Sequence, residues 1–279
     1  GYNTVILENH GVVLGGQNLF ETFMAFETLN FCALLEIKGN QIGTPQSLTD
    51  KEIRLSRQKQ DVEMDEFIPH NFSNKERNKR REMCELIHRA YEQRLFTSTQ
   101  GTFSQRLDQD SFIITPYGKD RKYLEIGDLV RIEDNRKEAG KNPSRSTLLH
   151  ENIYDKYPCI NSIIIAHPPH IMSFAITERK FETKVIPESY IMLQEVPKVP
   201  FGSSFIHPQL IANCFSKERS ILMVKNDCII VTGSSLINTF DKLEVAEFTA
   251  KSIISSQNLG DIVNINKEQI HDIKKAFDL

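Results

Sequence analysis

The pattern of apolar and polar positions switches repeatedly between a helical and a strand period along this 279-residue chain. Apolar residues at helical spacing predict helices over residues 74–94, 147–157, 208–215, 236–256 and 267–277. Shorter apolar or alternating runs predict strands over residues 102–107, 111–115, 129–132, 162–166, 221–224 and 228–231. Because helices and strands are interspersed, the sequence predicts an α/β layered domain around a mostly antiparallel central sheet.

The chain contains an internal repeat. Residues 8–33 align without a gap on residues 225–250, at an offset of 217 (225 minus 8). The identical pairs are Asn9/Asn226, Gly16/Gly233, Leu19/Leu236, Thr22/Thr239, Phe23/Phe240, Glu27/Glu244, Phe31/Phe248 and Ala33/Ala250. A period of this length is that of a whole domain. The repeat therefore predicts two tandem copies: residues 1–58 as the C-terminal fragment of a first copy, 59–73 as a linker, and 74–279 as a complete second copy.

The fragment at 1–58 offers one hairpin and one helix, which is too little to bury a core of its own. Either it packs on another part of the protein, or the first copy continues upstream of Gly1. We favour the second interpretation.

Composition narrows the choice of partners. A net charge of −3 gives no strong attraction to nucleic acid or to an anionic membrane. The five cysteines are odd in number and lack zinc-knuckle spacing, so free thiols in a reducing, cytoplasmic setting are expected. We find no Rossmann glycine pattern, P-loop or Ser/His/Asp arrangement.

Four short segments of the second copy occur in an order that carries a family resemblance: 98–104 (STQGTFS), 114–118 (ITPYG), 143–146 (PSRS) and 166–170 (AHPPH). A fifth, 225–228 (KNDC), aligns through the repeat with Asn9-His10-Gly11. Together these segments resemble the class II aldolase/adducin family, over most of residues 74–257 and, for the fragment, 1–57.

The resemblance implies a three-layer α/β/α fold and a small sugar phosphate or related anion as ligand. It also implies a divalent metal, usually zinc, held by three histidines beside a catalytic glutamate. Such a metal acts as a Lewis acid on the oxyanion of retro-aldol cleavage, and the carboxylate moves protons. Family members commonly form homotetramers with sites between subunits.

Carried over by position, the metal site departs from the family pattern. The first ligand position is Ile165, the second is His167 and the third is Asp227, while the glutamate position is Ser146. His170 is a further candidate ligand if it turns the same way as His167. The alternative is that His167 is a hydrogen-bonded histidine in a vestigial pocket and that Ser146 caps a helix. In the first copy, His10 is a histidine at the third ligand position, as in the family. The other metal ligands of that copy would lie upstream of Gly1.

The phosphate cradle is better preserved. The resemblance assigns phosphate binding to hydroxyl, glycine and cationic residues, namely Thr99, Gly101, Ser104, Thr115, Gly118, Ser144 and Arg145. Their alternative role is in turns and caps. Glu188 and Tyr190 align near the substrate-contacting groups of the family and are candidate catalytic residues. His150, in the middle of a helix, is interpreted as a packing residue.

Two functional hypotheses follow. The first is an enzyme, a metal-dependent sugar-phosphate aldolase (a carbon–carbon lyase) or a related epimerase or dehydratase, with chemistry in the first copy and a degenerate second copy. The second is a non-catalytic protein in which the fold serves assembly, as in the adducin branch. We favour the enzyme class for the whole protein and predict that residues 74–279 alone are inactive.

Overall fold

The structure, a computed structural model, describes residues 3–58 and 63–279. The strands are β1 (Thr4–Leu7), β2 (Gly11–Leu14), β3 (Glu66–Phe67), β4 (Thr102–Asp108), β5 (Ser111–Ile114), β6 (Val130–Glu133), β7 (Arg136–Glu138), β8 (Ser162–Ala166), β9 (Lys198–Val199), β10 (Ile221–Val224) and β11 (Cys228–Gly233). The helices are α1 (Leu19–Ile42), α2 (Asp50–Ser56), α3 (Asn74–Glu92), α4 (Thr147–Lys156), α5 (Pro169–Ala175), α6 (Pro187–Leu193), α7 (Ser203–Ile206), α8 (Pro208–Ala212), α9 (Leu236–Ser256) and α10 (Lys267–Phe277). Within the described ranges, no helix is both long and apolar enough to cross a bilayer.

Nine strands form one mixed sheet in the order β3-β7-β6-β5-β4-β8-β11-β10-β9. Only the two outermost pairs, β3 with β7 and β10 with β9, are parallel. The predicted α/β fold with a mostly antiparallel central sheet is confirmed.

Apolar layers cover both faces of the central strands. Along β8, Ile164 and Ala166 pack into one core cluster, with residues of α3, α5 and α9. Ile163 and Ile165 face the other cluster, with residues of α4 and α8. Neighbouring strand residues point to opposite faces, so burial on both sides explains why β8 reads as a continuous apolar run.

Three local predictions need correction. The apolar pattern predicts no helix over residues 158–207, but the Pro-Pro step at 168–169 starts α5, with proline at the first helical position where no backbone N–H is needed. Glu66–Phe67, inside the predicted linker, pairs with β7 as an edge strand, whereas residues 59–62 lie outside the described part. The predicted helix over 208–215 ends at Ala212. All five cysteines are free, as predicted.

The N-terminal segment forms a separate two-stranded hairpin followed by a long helix. β1 pairs with β2 antiparallel, and neither strand joins the nine-stranded sheet. Helix α1 packs along α5, and the approach is close at Gly39, where a Cβ atom would lie 2.9 Å from the Ile176 side chain. Thus α1 lies directly against the domain formed by residues 74–279.

Candidate functional site

A cleft of about 980 Å³ opens beyond the ends of three central strands, where β8 ends and where β4 and β11 begin. Antiparallel neighbours bring these strand ends together, so loops distant in sequence meet at one place. The residues of the complete copy that line the cleft include Thr99, Gln100, Gly101, Thr102, Tyr117, Arg121, Ser144, Arg145, Ser146, Ile165, His167, Ser204, Phe205, Asp227 and Cys228.

The three positions aligned with the family's metal ligands do meet in this cleft. Ile165, His167 and Asp227 all line it. Ile165 contributes only hydrocarbon and packs into the apolar cluster below. The Asp227 carboxylate accepts a hydrogen bond of 2.6 Å from Ser204 Oγ.

This set of donors does not fit a zinc ion. A catalytic zinc site needs about three protein ligands, whereas Ile165 has no lone pair to offer. Among the described residues, no group of three His, Cys, Asp or Glu side chains is arranged to hold a metal. The cleft therefore lacks one of the donors that the family resemblance places at this site.

His170 does not join His167 in the cleft. Its ring Nδ1 lies 2.5 Å from Glu247 Oε1, and its Nε2 lies 2.9 Å from Lys38 Nζ on α1. The Glu247 carboxylate also accepts the backbone N–H groups of His170 and Ile171 at the start of α5. His170 therefore links α9, α5 and α1, and the prediction of a metal ligand at this position is not supported by its placement.

Three hydroxyl groups form a hydrogen-bonded network around Ser146, the residue at the position where the family resemblance places a glutamate. Thr102 Oγ1 lies 2.8 Å from Ser144 Oγ, which lies 3.0 Å from Ser146 Oγ. Ser146 stands at the N-cap position of α4, but its side chain makes no capping hydrogen bond, so the capping interpretation is wrong. The hydroxyl faces the cleft instead, where it can offer a hydrogen bond but cannot serve as a carboxylate base.

Two arginines supply positive charge to the cleft. The guanidinium of Arg145 lies 4.8 Å from the centre of the Tyr117 ring. Arg121 is 2 % exposed, and its guanidinium donates to the backbone carbonyls of Gly101 and Lys119. Burial lowers the pKa of Arg121 to about 10, which leaves it charged at neutral pH. In the described part of the chain it makes no ion pair with a carboxylate.

Arg121 was missed by the sequence analysis. It follows the Thr-Pro-Tyr-Gly segment by three residues, and nothing in its local pattern distinguishes it from a surface arginine. Its backbone N–H donates to the Ser98 carbonyl, which ties it to the loop before β4. Gly101 in that loop has φ +80, and a Cβ atom there would lie 2.7 Å from the Phe96 ring. This position therefore requires glycine.

The predicted phosphate cradle is only partly assembled. Thr99, Gly101, Ser144 and Arg145 line the cleft, whereas Ser104, Thr115 and Gly118 do not. Ser104 Oγ is fully buried between His150 Nδ1 at 2.6 Å and Tyr154 OH at 2.7 Å. The Thr115 hydroxyl accepts a hydrogen bond from the Phe103 backbone N–H. Ser104 and Thr115 are therefore structural residues of the sheet.

Three other candidates lie outside the cleft. Glu188 and Tyr190 are on α6, where Tyr190 is buried against the core. His10 lies on the exposed turn of the β1–β2 hairpin, and its backbone N–H donates to the Leu7 carbonyl. The cleft brings none of these residues together with His167.

Helix α1 forms a wall of the cleft that the sequence did not predict. Its residues Thr28, Phe31 and Cys32 line the opening, and the Phe31 ring contacts the His167 ring edge to face at 6.5 Å between centroids. The Glu27 carboxylate accepts the Tyr91 hydroxyl at 2.8 Å and the Ser98 backbone N–H at 3.0 Å. Residues of the N-terminal segment thus form part of the cleft wall.

Comparisons with known proteins identify the family of the chain. A profile described as "Class II Aldolase and Adducin N-terminal domain" matches residues 81–254. An L-fuculose phosphate aldolase from Methanococcus vannielii is 26% identical over 175 residues, covering 61% of this chain and 93% of the aldolase. A 3-oxo-tetronate 4-phosphate decarboxylase from Haemophilus influenzae is 25% identical over 183 residues, covering 63% of this chain and 86% of the decarboxylase.

Solved structures share the fold. YgbL from Escherichia coli, titled a putative aldolase/epimerase/decarboxylase, superposes with a TM-score of 0.66 at 20% identity. The match covers 71% of this chain and 99% of that one. An L-fuculose 1-phosphate aldolase gives a TM-score of 0.62 at 22% identity, covering 75% and 99%.

Proposed function

Because the chain belongs to the class II aldolase and adducin N-terminal domain family, we propose that its complete copy binds a small phosphorylated molecule without cleaving it by metal-dependent chemistry. One observation carries the proposal. The cleft combines Arg145 and the buried Arg121 with a hydrocarbon side chain, Ile165, at a metal-ligand position. The cleft keeps the cationic side chains that can bind an anion, but it lacks one of the ligands that a metal ion acting as a Lewis acid would need.

The charge of Arg121 supports the anion-binding half of the proposal. A buried cation without a carboxylate partner is costly, so an anion at the cleft would stabilise it. Arg145 adds a planar donor suited to phosphate. Thr99, the Gly101 loop and the Thr102–Ser144–Ser146 hydroxyl groups surround the same space and can donate further hydrogen bonds.

The names of the relatives support the ligand class. The aldolase and the decarboxylase reported above are named for sugar-type substrates that carry a phosphate. A methylthioribulose-1-phosphate dehydratase from Yersinia enterocolitica, 33% identical over 87 residues, is also named for a phosphorylated sugar. The relatives differ in reaction but share the phosphate, so a phosphorylated sugar is the ligand we expect here.

Any metal-dependent sugar-phosphate lyase activity of the whole protein we assign to the first copy, with zinc as the expected ion. His10 supports this assignment, since it stands at the repeat position of Asp227. An assembly role like that of adducins is the competing possibility, and the loss of a donor at Ile165 favours it. Metal-dependent cleavage by the natural polypeptide that is lost in His10→Ala but retained in His167→Ala would support the enzyme.

We also propose that the chain forms homo-oligomers, and that α9 meets a neighbouring site as α1 meets this one. Phe248 on α9 is 62% exposed. Its repeat counterpart on α1, Phe31, lies against His167 in the cleft. A helix that presents an aromatic residue to solvent at this position fits a head-to-tail interface.

Calorimetric titration of residues 1–279 tests the ligand proposal. We expect a ketose 1-phosphate to bind in the presence of a chelator and the same ketose without phosphate to bind at least ten times more weakly. Arg145→Ala should raise the dissociation constant about tenfold, the loss of roughly one charged hydrogen bond. Arg136→Ala, on an exposed arginine outside the cleft, should leave it unchanged. Equal binding of both sugars, or equal loss in both variants, would refute the proposal.

A further inference from the structure

We propose that the β1–β2 hairpin and the outward side of α1 form a docking surface for the body of a first aldolase-like domain, supplied by the same polypeptide ahead of this segment. The inference concerns the first copy and does not depend on ligand binding by the second. The surface, called the hairpin face below, comprises both sides of the hairpin, with Val5 and Val13 on one side and Ile6 and Val12 on the other. On α1 it comprises Leu19, Phe23 and Phe26.

The hairpin face is exposed where its repeat counterparts are buried. Val13 is 56% exposed, and its counterpart Ile230 is 0% exposed. Leu19 is 85% exposed, and Leu236 is 0% exposed. The other five counterparts, Leu222, Met223, Ile229, Phe240 and Leu243, are also buried. Apolar residues exposed on both sides of the hairpin, at positions buried on both sides of the sheet in their counterparts, mark an interaction site.

The local structure of the two segments is the same. β1 and β10 begin and end at matching residues, and α1 and α9 begin at the matching residues Leu19 and Leu236. Thr22 Oγ1 donates to the Asn18 carbonyl at 2.8 Å, and Thr239 Oγ1 donates to the Ser235 carbonyl at the same distance. The segment therefore has the conformation that its counterpart adopts inside a complete domain.

The complete copy indicates what would cover the hairpin face. β11 pairs antiparallel with β8, placing Ile229 opposite Ala166 and Ile230 opposite Ile165. The repeat places Val12 and Val13 at the positions of Ile229 and Ile230, on a β2 edge that no other described strand pairs with. An open strand edge carries unpaired N–H and C=O groups. We therefore expect an apolar strand antiparallel to β2.

The aromatic part of the hairpin face has an equally defined counterpart. Phe240, which corresponds to Phe23, packs near Phe103 of β4 and beneath the guanidinium of Arg89 on α3. The occupant therefore presents a strand and a helix together, as β8 and α3 do in the complete copy.

Chain order and strand pairing identify the source of the occupant. In the complete copy, the covering elements α3, β4 and β8 all precede β10. The same order puts the body of the first domain ahead of β1. A second copy of residues 1–279 cannot supply β8 in its folded form, because its β8 is already paired on one side with β4 and on the other with β11. Pairing of β2 with β2 of a second copy is the competing arrangement, which the Val13→Asp measurement below distinguishes.

Hydrogen–deuterium exchange tests this by comparing residues 1–279 with the natural polypeptide. We expect amides in residues 4–14 to exchange at least tenfold more slowly in the natural polypeptide. Unchanged exchange, or a natural polypeptide with no domain ahead of the hairpin, would overturn the proposal.

A substitution gives a second readout. Val13→Asp should leave the Tm of residues 1–279 within about 1 °C but lower that of the natural polypeptide by about 5 °C, as burying a charge in a core does. Leu259→Asp, at an exposed leucine away from this surface, should change neither. If residues 1–279 dimerise and Val13→Asp dissociates the dimer, the occupant is a second copy and the proposal fails.

Discussion

At the scale of single residues, Ile165 decides what chemistry the cleft can support. The last residues of β8 alternate between the two sheet faces, so Ile165 and His167 lie on the same side of the chain. A histidine at 165 would complete a set of three with His167 and Asp227. The isoleucine places a hydrocarbon at that position and extends the apolar cluster under the cleft instead.

Histidine supplies the donor that isoleucine lacks, so Ile165→His should give residues 1–279 a zinc site. We expect zinc affinity to rise at least tenfold, since three protein donors are the usual minimum for a catalytic ion. Equilibrium dialysis with metal analysis measures the change, and Ile165→Leu is the control. Equal zinc uptake by the two variants, or stoichiometric zinc in the unsubstituted chain, would contradict the assignment.

His150 gives a prediction about pH. It is fully buried with Nδ1 beside Ser104, and burial lowers its pKa to about 3. The unfolded chain, with a histidine pKa of about 6.5, therefore takes up the proton first. The free energy of unfolding falls as pH drops from about 6.5 towards 3, by about 1.4 kcal/mol per pH unit from this group.

Urea unfolding at a series of pH values measures that slope. His150→Gln can keep a hydrogen bond to Ser104 but cannot titrate, so its stability should fall less steeply between pH 6 and pH 4. Parallel slopes in the two proteins would show that His150 is not the responsible group. The carboxylates contribute equally to both curves and cancel in the comparison.

At the scale of elements, strong periodicity predicted the sheet and the long helices well. β8, β10 and α9 have the predicted bounds because their apolar patterns match the buried faces. α10 also has the predicted bounds, although none of its residues is buried. Short elements such as β3, β7 and β9 were missed, since two or three residues carry no measurable period. α5 was missed because its 7 residues are too few for a helical period to stand out.

The site was harder to predict than the fold. Motif alignment found the loops that meet in the cleft, because each follows or precedes a recognisable strand. It could not assign side-chain direction, so Ser104 and His170 were misplaced. It also could not find Arg121 or the wall formed by α1, since both depend on long-range packing that no local pattern encodes.

Glu27 is the α1 residue whose removal should matter most to the cleft. Glu27→Ala deletes the acceptor of the Ser98 N–H and the Tyr91 hydroxyl. We expect the free energy of unfolding to fall by about 1 to 3 kcal/mol and the dissociation constant for a ketose 1-phosphate to rise. Glu36→Ala, at an exposed glutamate on the same helix, is the control. If both variants match the unsubstituted protein, α1 does not organise the site.

At the scale of the whole molecule, the two sides of α1 have different surroundings. One side of the helix packs on α5 and α9 and lines the cleft, whereas the other belongs to the hairpin face. If α9 does the same in a neighbouring chain, substitution of Phe248 should weaken the oligomer. Light scattering of Phe248→Asp should give a smaller species than Leu259→Asp, and identical masses would exclude this interface.

The most direct test of the account follows ligand binding and cleavage together in residues 1–279. With a ketose 1-phosphate, we expect saturable binding in chelator and no aldehyde product whether or not zinc is added. Zinc-dependent cleavage that disappears in His167→Ala would contradict the account, because it would show a working metal centre in the copy that carries Ile165.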